Sequence, residues 1–408
     1  MTYRAALRVV LLWLALVSPL GAQRAIDWSS KPVFLMTMGQ GDAVFEKFGH
    51  NALVVWDDVM GQPLVYNWGM FDFAQPNFIG RFLSGDTKYW MEPRTLEGTL
   101  AQYRQLNRTV TLQELRLTPS QKQALVQRLA TNALEENKFY RYDYYRDNCS
   151  TRVRDALDAV TGGALARVMQ PAAGQGSYRW HTRRLLAYST PLYLGSELVL
   201  GVDADTPLTS WEQAFLPLSL SESVTRIELP AAENLPARML AAPVDTVFRA
   251  AREAEPTAVA PRIAVAALVG IVLGAVLLLV SRLGKVGASI AIGAWSLASV
   301  LVGTVLLLAW FATEHHFMGN NPSVSLLNPA WMVGVVAAVM VLRNGVSWRV
   351  RSLLKWLLAV AALGSLAAVI LGHGVSALEL AALVLPGHAV VVYAADRFRR
   401  GDPATLPR

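Results

Sequence analysis

The chain has 408 residues, 53% of them hydrophobic and only 16% charged, a mix too apolar for an ordinary soluble protein. Its formal net charge is +7, but the surplus Lys and Arg flank hydrophobic runs, where they set membrane orientation rather than nucleic-acid affinity. The single cysteine excludes an intramolecular disulfide, and with it a stapled secreted domain.

Met1 to Ala22 has the three parts of an export signal: Arg4 and Arg8, the apolar run Val9 to Val17, and a small-residue end at Ser18 to Ala22. Cleavage is expected after Ala22, with an uncleaved anchor as the alternative. The absence of a cysteine there argues against a lipoprotein signal. Residues 23–256 read as one extracytoplasmic α+β domain. Val33 to Met38 is a first strand. Phe48 to Trp56 and Leu64 to Phe71 pair across a turn at Gly61 to Pro63. Thr87 to Met91 and Arg108 to Leu115 are further strands, and Thr118-Pro119 opens a helix to about Glu136. Trp180 to Tyr188 reads as a helix whose Arg183 and Arg184, with Arg179 just before it, are expected to form a solvated face. Arg252 to Pro261 is a charged, Pro/Ala-rich linker.

Residues 257–402 then carry five apolar runs, at about 263–280, 288–312, 326–342, 353–371 and 377–395. Arg282 and Lys285, then Arg343, Arg349 and Arg351, then Arg397, Arg399 and Arg400 mark alternate connections; 313–329 and 372–376 carry no Lys or Arg. The alternation predicts an all-α domain of five membrane helices, N-terminus outside and C-terminus inside. Glu379 falls inside a run, where an ionisable group is costly and suggests function. His373 and His388 are expected to be interfacial or packing residues.

The lone Cys149 sits where Asp147, Asn148, Ser150 and Thr151, all favoured at helix starts, meet the helical spacing of Val153, Ala156, Leu157 and Val160. A first-turn cysteine faces free backbone N–H groups and the positive end of the helix dipole, which favour a thiolate. It needs a base, and His50, at the start of a strand, is the choice over His181. Asn67 on the next strand could orient the imidazole, with Asp57, Asp58 and Asp72 as competitors.

The order of histidine on a strand, a polar residue on the next, then cysteine at a helix start resembles the circularly permuted branch of the NlpC/P60 papain-like superfamily. More closely, Phe48 to Ala52, Tyr66 to Phe73 and Tyr142 to Asp155 resemble the Lnb family, named for bacterial lipoprotein N-acyltransferase activity. The resemblance implies a periplasmic Cys/His catalytic domain on a C-terminal membrane domain in the bacterial inner membrane. It also implies a thiol acyltransferase that moves a fatty acyl chain through a Cys149 thioester to the N-terminal amine of lipoproteins. Cys149, His50 and Asn67 would be catalytic, and Asn148, Tyr66 and Asp72 are substrate-contact candidates. The partners would be diacylated lipoprotein or phospholipid in the bilayer, without a cofactor and without nucleic acid.

A second candidate site is the connection Glu314 to Asn321, whose His315, His316, Asn320 and Asn321 could bind a headgroup or peptide amide, the plain alternative being a polar connecting loop. Adjacent histidines without a third ligand do not suffice for a metal, and none is expected. Two other functions compete: a cell-wall cysteine amidase or peptidase using the same Cys149 and His50, and a non-enzymatic envelope assembly protein.

Overall fold

The computed structural model describes residues 30–400. The expected export signal lies outside the described residues. The protein combines a β-sheet N-terminal domain with a C-terminal helical part.

Seven antiparallel strands form the main sheet. β1 (Val33–Met38), β2 (His50–Asp57), β3 (Gln62–Met70), β4 (Lys88–Thr95), β5 (Val110–Leu115) and β6 (Phe139–Arg141) are joined by a strand from Asp245–Phe248. Across the sheet the order is 245–248, β5, β1, β2, β3, β4, β6. All six residues of β1 are buried, because helices cover both faces of the sheet's centre. Leu35, Leu53, Val55 and Tyr66 face one layer, with the helices Pro119–Ala133 and Cys149–Val160. Met36, Ala52, Val54 and Val65 face the other, with Leu96, Leu100 and Tyr103 of the helix Leu96–Gln105. Strand alternation therefore divides neighbours: the Asn51 side chain points to the cysteine helix, whereas His50 and Asn67 alternate to the other side, His50 at the very end of β2, where the Arg108 charge reaches both it and Cys149.

The predicted strands and the Thr118 helix are present. Thr118 caps that helix by accepting from Gln121 N, and Gln121 reaches back to Thr118 N at 2.9 Å. Elements without a counterpart in the sequence reading include the helices Phe78–Ser84, Leu96–Gln105 and Ala164–Met169, the short strand β6, and the strand Asp245–Phe248. The strand Asp245–Phe248 lies close to the linker, and pairs with β5 through Asp245↔Leu112 and Thr246↔Thr111.

Four helical runs, Ile263–Ser281, Gly284–Phe311, His316–Leu342 and Trp348–Arg397, are long and apolar enough to cross a membrane. The fourth folds back on itself. Gly372 takes φ +97°, and Arg351 and Lys355 near its start pair with Asp396 near its end at 3.2 and 2.7 Å. This hairpin gives five apolar arms. The third is helical only over Met332–Leu342 and is reached through short 3₁₀ turns at 316–318, 322–325 and 329–331. Arg397 donates to Ser281 O at 3.5 Å, so the ends of the first and fifth arms meet where the fourth begins. The first and fifth arms also approach closely: a Cβ on Gly270 would fall 2.2 Å from the Ala382 carbonyl, so only glycine fits.

The domain is tied to this bundle by buried polar groups, which corrects the expectation of a solvated arginine face. The sequence shows Arg179, Arg183 and Arg184 on a short helix, and helical spacing alone assigned them to water. Instead Arg179 is buried and pairs with Asp205 at 2.7 Å, and Arg184 pairs with Glu255 at 2.6 Å. Arg183 grips both oxygens of the fully buried Glu197 at 2.7 and 2.6 Å. Glu197 also accepts from Ser376 of the bundle at 2.6 Å, and His373 of the bundle lies 2.9 Å from Asp205. Glu379 accepts from Tyr193 of the domain at 3.0 Å. Its burial inside an apolar run is thus accounted for by an interdomain hydrogen bond. His388 stacks on Trp331 at 3.7 Å and contacts Leu326 O at 3.0 Å, a packing role.

Candidate active site

Cys149 is the first residue of its helix, and Asn148 is the cap. Asn148 Oδ1 accepts from Ser150 N and Thr151 N at 2.9 and 3.0 Å, while its amide donates to Tyr144 O and Phe215 O at 3.1 and 2.9 Å. The side chain is spent on fixing the turn that carries the cysteine. Before it, Asp143 and Asp147 exchange backbone hydrogen bonds at 3.1 Å, closing a tight loop. The aspartates and asparagine around Cys149 therefore build the turn rather than line an open cleft.

The turn docks on β2 through Asn51. This buried residue accepts from Thr37 Oγ1 at 2.8 Å and donates to Ser150 Oγ at 3.1 Å and Pro217 O at 3.2 Å. Asn51 follows His50, so the link sets the residue after the histidine against the residue after the cysteine. Sequence reading passed over Asn51 as a strand residue, though a polar residue amid a buried apolar strand was the available signal.

His50 opens β2, and its Nε2 lies 3.2 Å from Asn67 Oδ1. The Asn67 amide nitrogen donates to Val65 O at 3.0 Å, which turns its oxygen toward the ring. Nε2 then carries the proton and Nδ1 keeps a free lone pair. The competing aspartates are engaged elsewhere: Asp57 accepts from Met60 N, Asp58 pairs with Lys31, and Asp72 accepts from Ala74 N. His181, the rival base, has both nitrogens engaged, with Gln175 O at 2.8 Å and Arg184 Nε at 3.0 Å.

Burial dominates the electrostatics. It pushes the Cys149 thiol up from its ordinary range, against the opposing pull of N–H groups from Asn51, Ser150 and Cys149 itself and of the Arg108 charge. The sequence expectation of a ready thiolate is therefore reversed: first-turn amides do act on the sulfur, but desolvation is the larger effect. Burial, then the Arg108 charge, push His50 down to about 4 against its hydrogen bond to Asn67. Arg108 is itself held by Glu46 at 3.1 Å and Gly39 O at 2.9 Å, and lies over the Tyr103 ring. The resting pair is thus a neutral thiol and a neutral imidazole. Alkylation of Cys149 by iodoacetamide is expected to be slow at pH 7 and to rise only as pH passes above the ordinary thiol range. Rapid alkylation at pH 5–6, about three units below the ordinary thiol pKa, would mean a preformed thiolate.

Gly69 completes the surroundings. It takes φ +84°, and a Cβ there would lie 3.6 Å from Cys149 Cβ, 3.5 Å from the Tyr142 ring and 3.8 Å from the Tyr140 hydroxyl. Tyr66, a substrate-contact candidate, is instead buried in the sheet's core beside Leu53. Burial raises the hydroxyls of Tyr140 and Tyr142 well above their usual range, so both stay protonated.

The connection 314–321 is docked against the domain. Phe317 is fully buried among Tyr145, Tyr178 and Phe215, and its carbonyl accepts from Gly201 N at 2.7 Å. Asn321 donates to Leu198 O and Val199 O at 2.9 and 3.1 Å, and Asn320 O accepts from Val202 N at 3.4 Å. His315 donates to Phe82 O at 2.9 Å, and His316 lies 3.8 Å from Asp203. None of these four stands beside Cys149 through any of these contacts; they join the two parts of the chain. Among the described residues no cluster of three or more His, Cys, Asp or Glu is placed to hold a metal ion.

Residues 21–187 match the model of the family described as the Lnb N-terminal periplasmic domain. The chain thus carries an Lnb-type periplasmic domain, joined to apolar helices that associate it with a membrane. No curated protein and no solved structure matches it.

Proposed function

We propose that this protein is an inner-membrane thiol acyltransferase that N-acylates lipoproteins. The observation that carries the reading is that Cys149, at a helix start, and His50, paired with Asn67, share one end of the sheet: the Asn51 N–H is directed at the sulfur, and the Arg108 charge acts on both groups. The fold would be the permuted papain-like arrangement, with an export signal over residues 1–22 and a domain boundary near residue 256. The catalytic domain would face the periplasm and the C-terminus the cytoplasm.

His50 Nδ1 takes the thiol proton as Cys149 Sγ attacks the carbonyl of an acyl ester. The backbone N–H groups of Asn51 and Cys149, which act on the sulfur at rest, would turn to the developing oxyanion, those of Ser150 and Thr151 being held by Asn148. The ester C–O bond breaks, the alcohol leaves with the proton from His50, and a thioester remains. The amine of the lipoprotein's N-terminal cysteine then attacks the thioester. The C–S bond breaks, the amine proton returns through His50 to sulfur, and an amide has formed. Because burial raises the thiol pKa, proton removal is tied to substrate arrival rather than completed beforehand.

The test is purified full-length protein in nanodiscs, with a diacylated lipopeptide and phospholipid, read by mass spectrometry. Gain of one acyl chain on the amine supports the reading. Cleavage of a cell-wall peptide without acyl gain would instead favour the amidase. The pH dependence of kcat/KM should show its acid limb at about 4, not near the ordinary histidine value of 6.5. The same shift sets a stability limb. A folded-state pKa below the unfolded one means the unfolded chain binds more protons, so stability falls as pH drops from about 6.5 to about 4. An acid limb near 6.5 would mean that burial does not depress His50 in the free protein.

A further inference from the structure

We propose that the helix Phe78–Ser84, with Phe73, is a foot that rests in the interfacial layer of the bilayer and guides an acyl chain toward Cys149. The guiding step rests on the acyltransferase reading; the membrane contact does not.

The foot exposes apolar side chains side by side: Phe73 is 68% exposed, Ile79 73%, Phe82 47% and Leu83 63%. A contiguous apolar patch of this kind in water marks an interaction surface. What covers it follows from its attachment. Glu314 N donates to Ser84 O at 2.8 Å, His315 donates to Phe82 O at 2.9 Å, and Gly85 packs against the Glu314 backbone. Glu314 comes three residues after the apolar helix Gly284–Phe311, whose last residue, Phe311, is itself 73% exposed. The bilayer that solvates that helix must end at this level, whichever leaflet it is. The exposed residues of the foot are therefore fixed at the membrane boundary, where an apolar face with polar backing is stable.

From the foot a file of rings leads inward. Phe78 stacks on Phe71 with centroids 6.0 Å apart, Phe71 meets Tyr89 at 5.1 Å, and Tyr89 stacks on Tyr142 at 4.4 Å. Tyr142 and Cys149 meet at Gly69, whose missing side chain leaves the sulfur's surroundings open on that side. An extended hydrocarbon chain could lie along these rings from the bilayer to the thiol.

With Cys149→Ala, the single-cysteine chain accepts one thiol probe wherever a cysteine is introduced. An environment-sensitive fluorophore at Leu83→Cys in full-length protein in phosphatidylglycerol/phosphatidylethanolamine nanodiscs should emit at shorter wavelength and be quenched by spin-labelled lipid. The same probe at Val59→Cys, on the distant β2–β3 turn, should do neither. Water-like, unquenched emission at Leu83 overturns the membrane contact, and quenching by an added soluble protein alone would do the same. For the guiding role, Ile79→Glu/Leu83→Glu should lower turnover of a bilayer-held lipopeptide by about tenfold or more, with Cys149 alkylation by iodoacetamide unchanged. Unchanged turnover overturns guiding. A quenched Leu83 probe, together with no acyl transfer by the parent protein that keeps Cys149, supports the membrane contact and rejects the acyltransferase reading.

Discussion

In cells that depend on this protein for N-acylation, Cys149→Ala is expected to leave every lipoprotein with a free N-terminal amine. No other thiol exists in the 408 residues, so no neighbouring sulfur can substitute. His50→Ala should be nearly as severe, with a loss of about 10³-fold or more, because residues acting as one catalytic unit are not additive. The reason is specific to this site: burial holds the thiol neutral, so without a base little nucleophile forms at neutral pH. Asn67→Ala removes only the group 3.2 Å from Nε2 that fixes the tautomer, and about 10–100-fold is expected. Mass spectrometry of lipoprotein N-termini reads all three. Full N-acylation in the Cys149→Ala strain would end the thioester mechanism and leave the assembly-protein reading.

The largest structural effect is expected at Glu197. Its carboxylate is fully buried and receives Arg183 in a fork, with Ser376 of the bundle as a third donor. Glu197→Ala leaves the Arg183 charge buried without its partner. Removing one member of such a pair costs about 3–5 kcal/mol, much of it the penalty of the stranded charge. Arg179 keeps Asp205 at 2.7 Å and so loses less. The denaturant midpoint in detergent should fall accordingly. Glu135→Ala, at a 76% exposed surface pair with Lys138, should cost no more than about 1 kcal/mol. Equal midpoints for the two variants would mean that the clamp is relaxed in solution.

How far the sequence reveals this molecule depends on whether the signal is local. Strands β1 to β3 show as apolar runs broken by Gly and Pro, and the cysteine helix shows in its capping residues. The apolar arms show in length and flanking charge. The strand Asp245–Phe248 has no such mark. It is short, lies among prolines, and exists because β5 offers an unpaired edge. The arginine helix misled for a related reason. Three arginines look like a water-facing surface until Glu197, Asp205 and Glu255, 14 to 71 residues away in sequence, are brought against them. The thiol was misread because helix-start chemistry is visible in residue types, whereas the depth of burial that outweighs it is a tertiary property.

The strand at 245–248 also bears on where this protein can be divided. Residues 21–187 carry the recognisable family signature, yet β5 finds its outer partner only some sixty residues further on. A fragment ending with the signature would leave β5 as a bare margin ready to zip onto another chain. It would also lose Pro217, whose carbonyl holds Asn51, and Ala214, whose carbonyl holds Ser150. The span that matches the family is thus shorter than the span that must stay together for Cys149 to stand where it does.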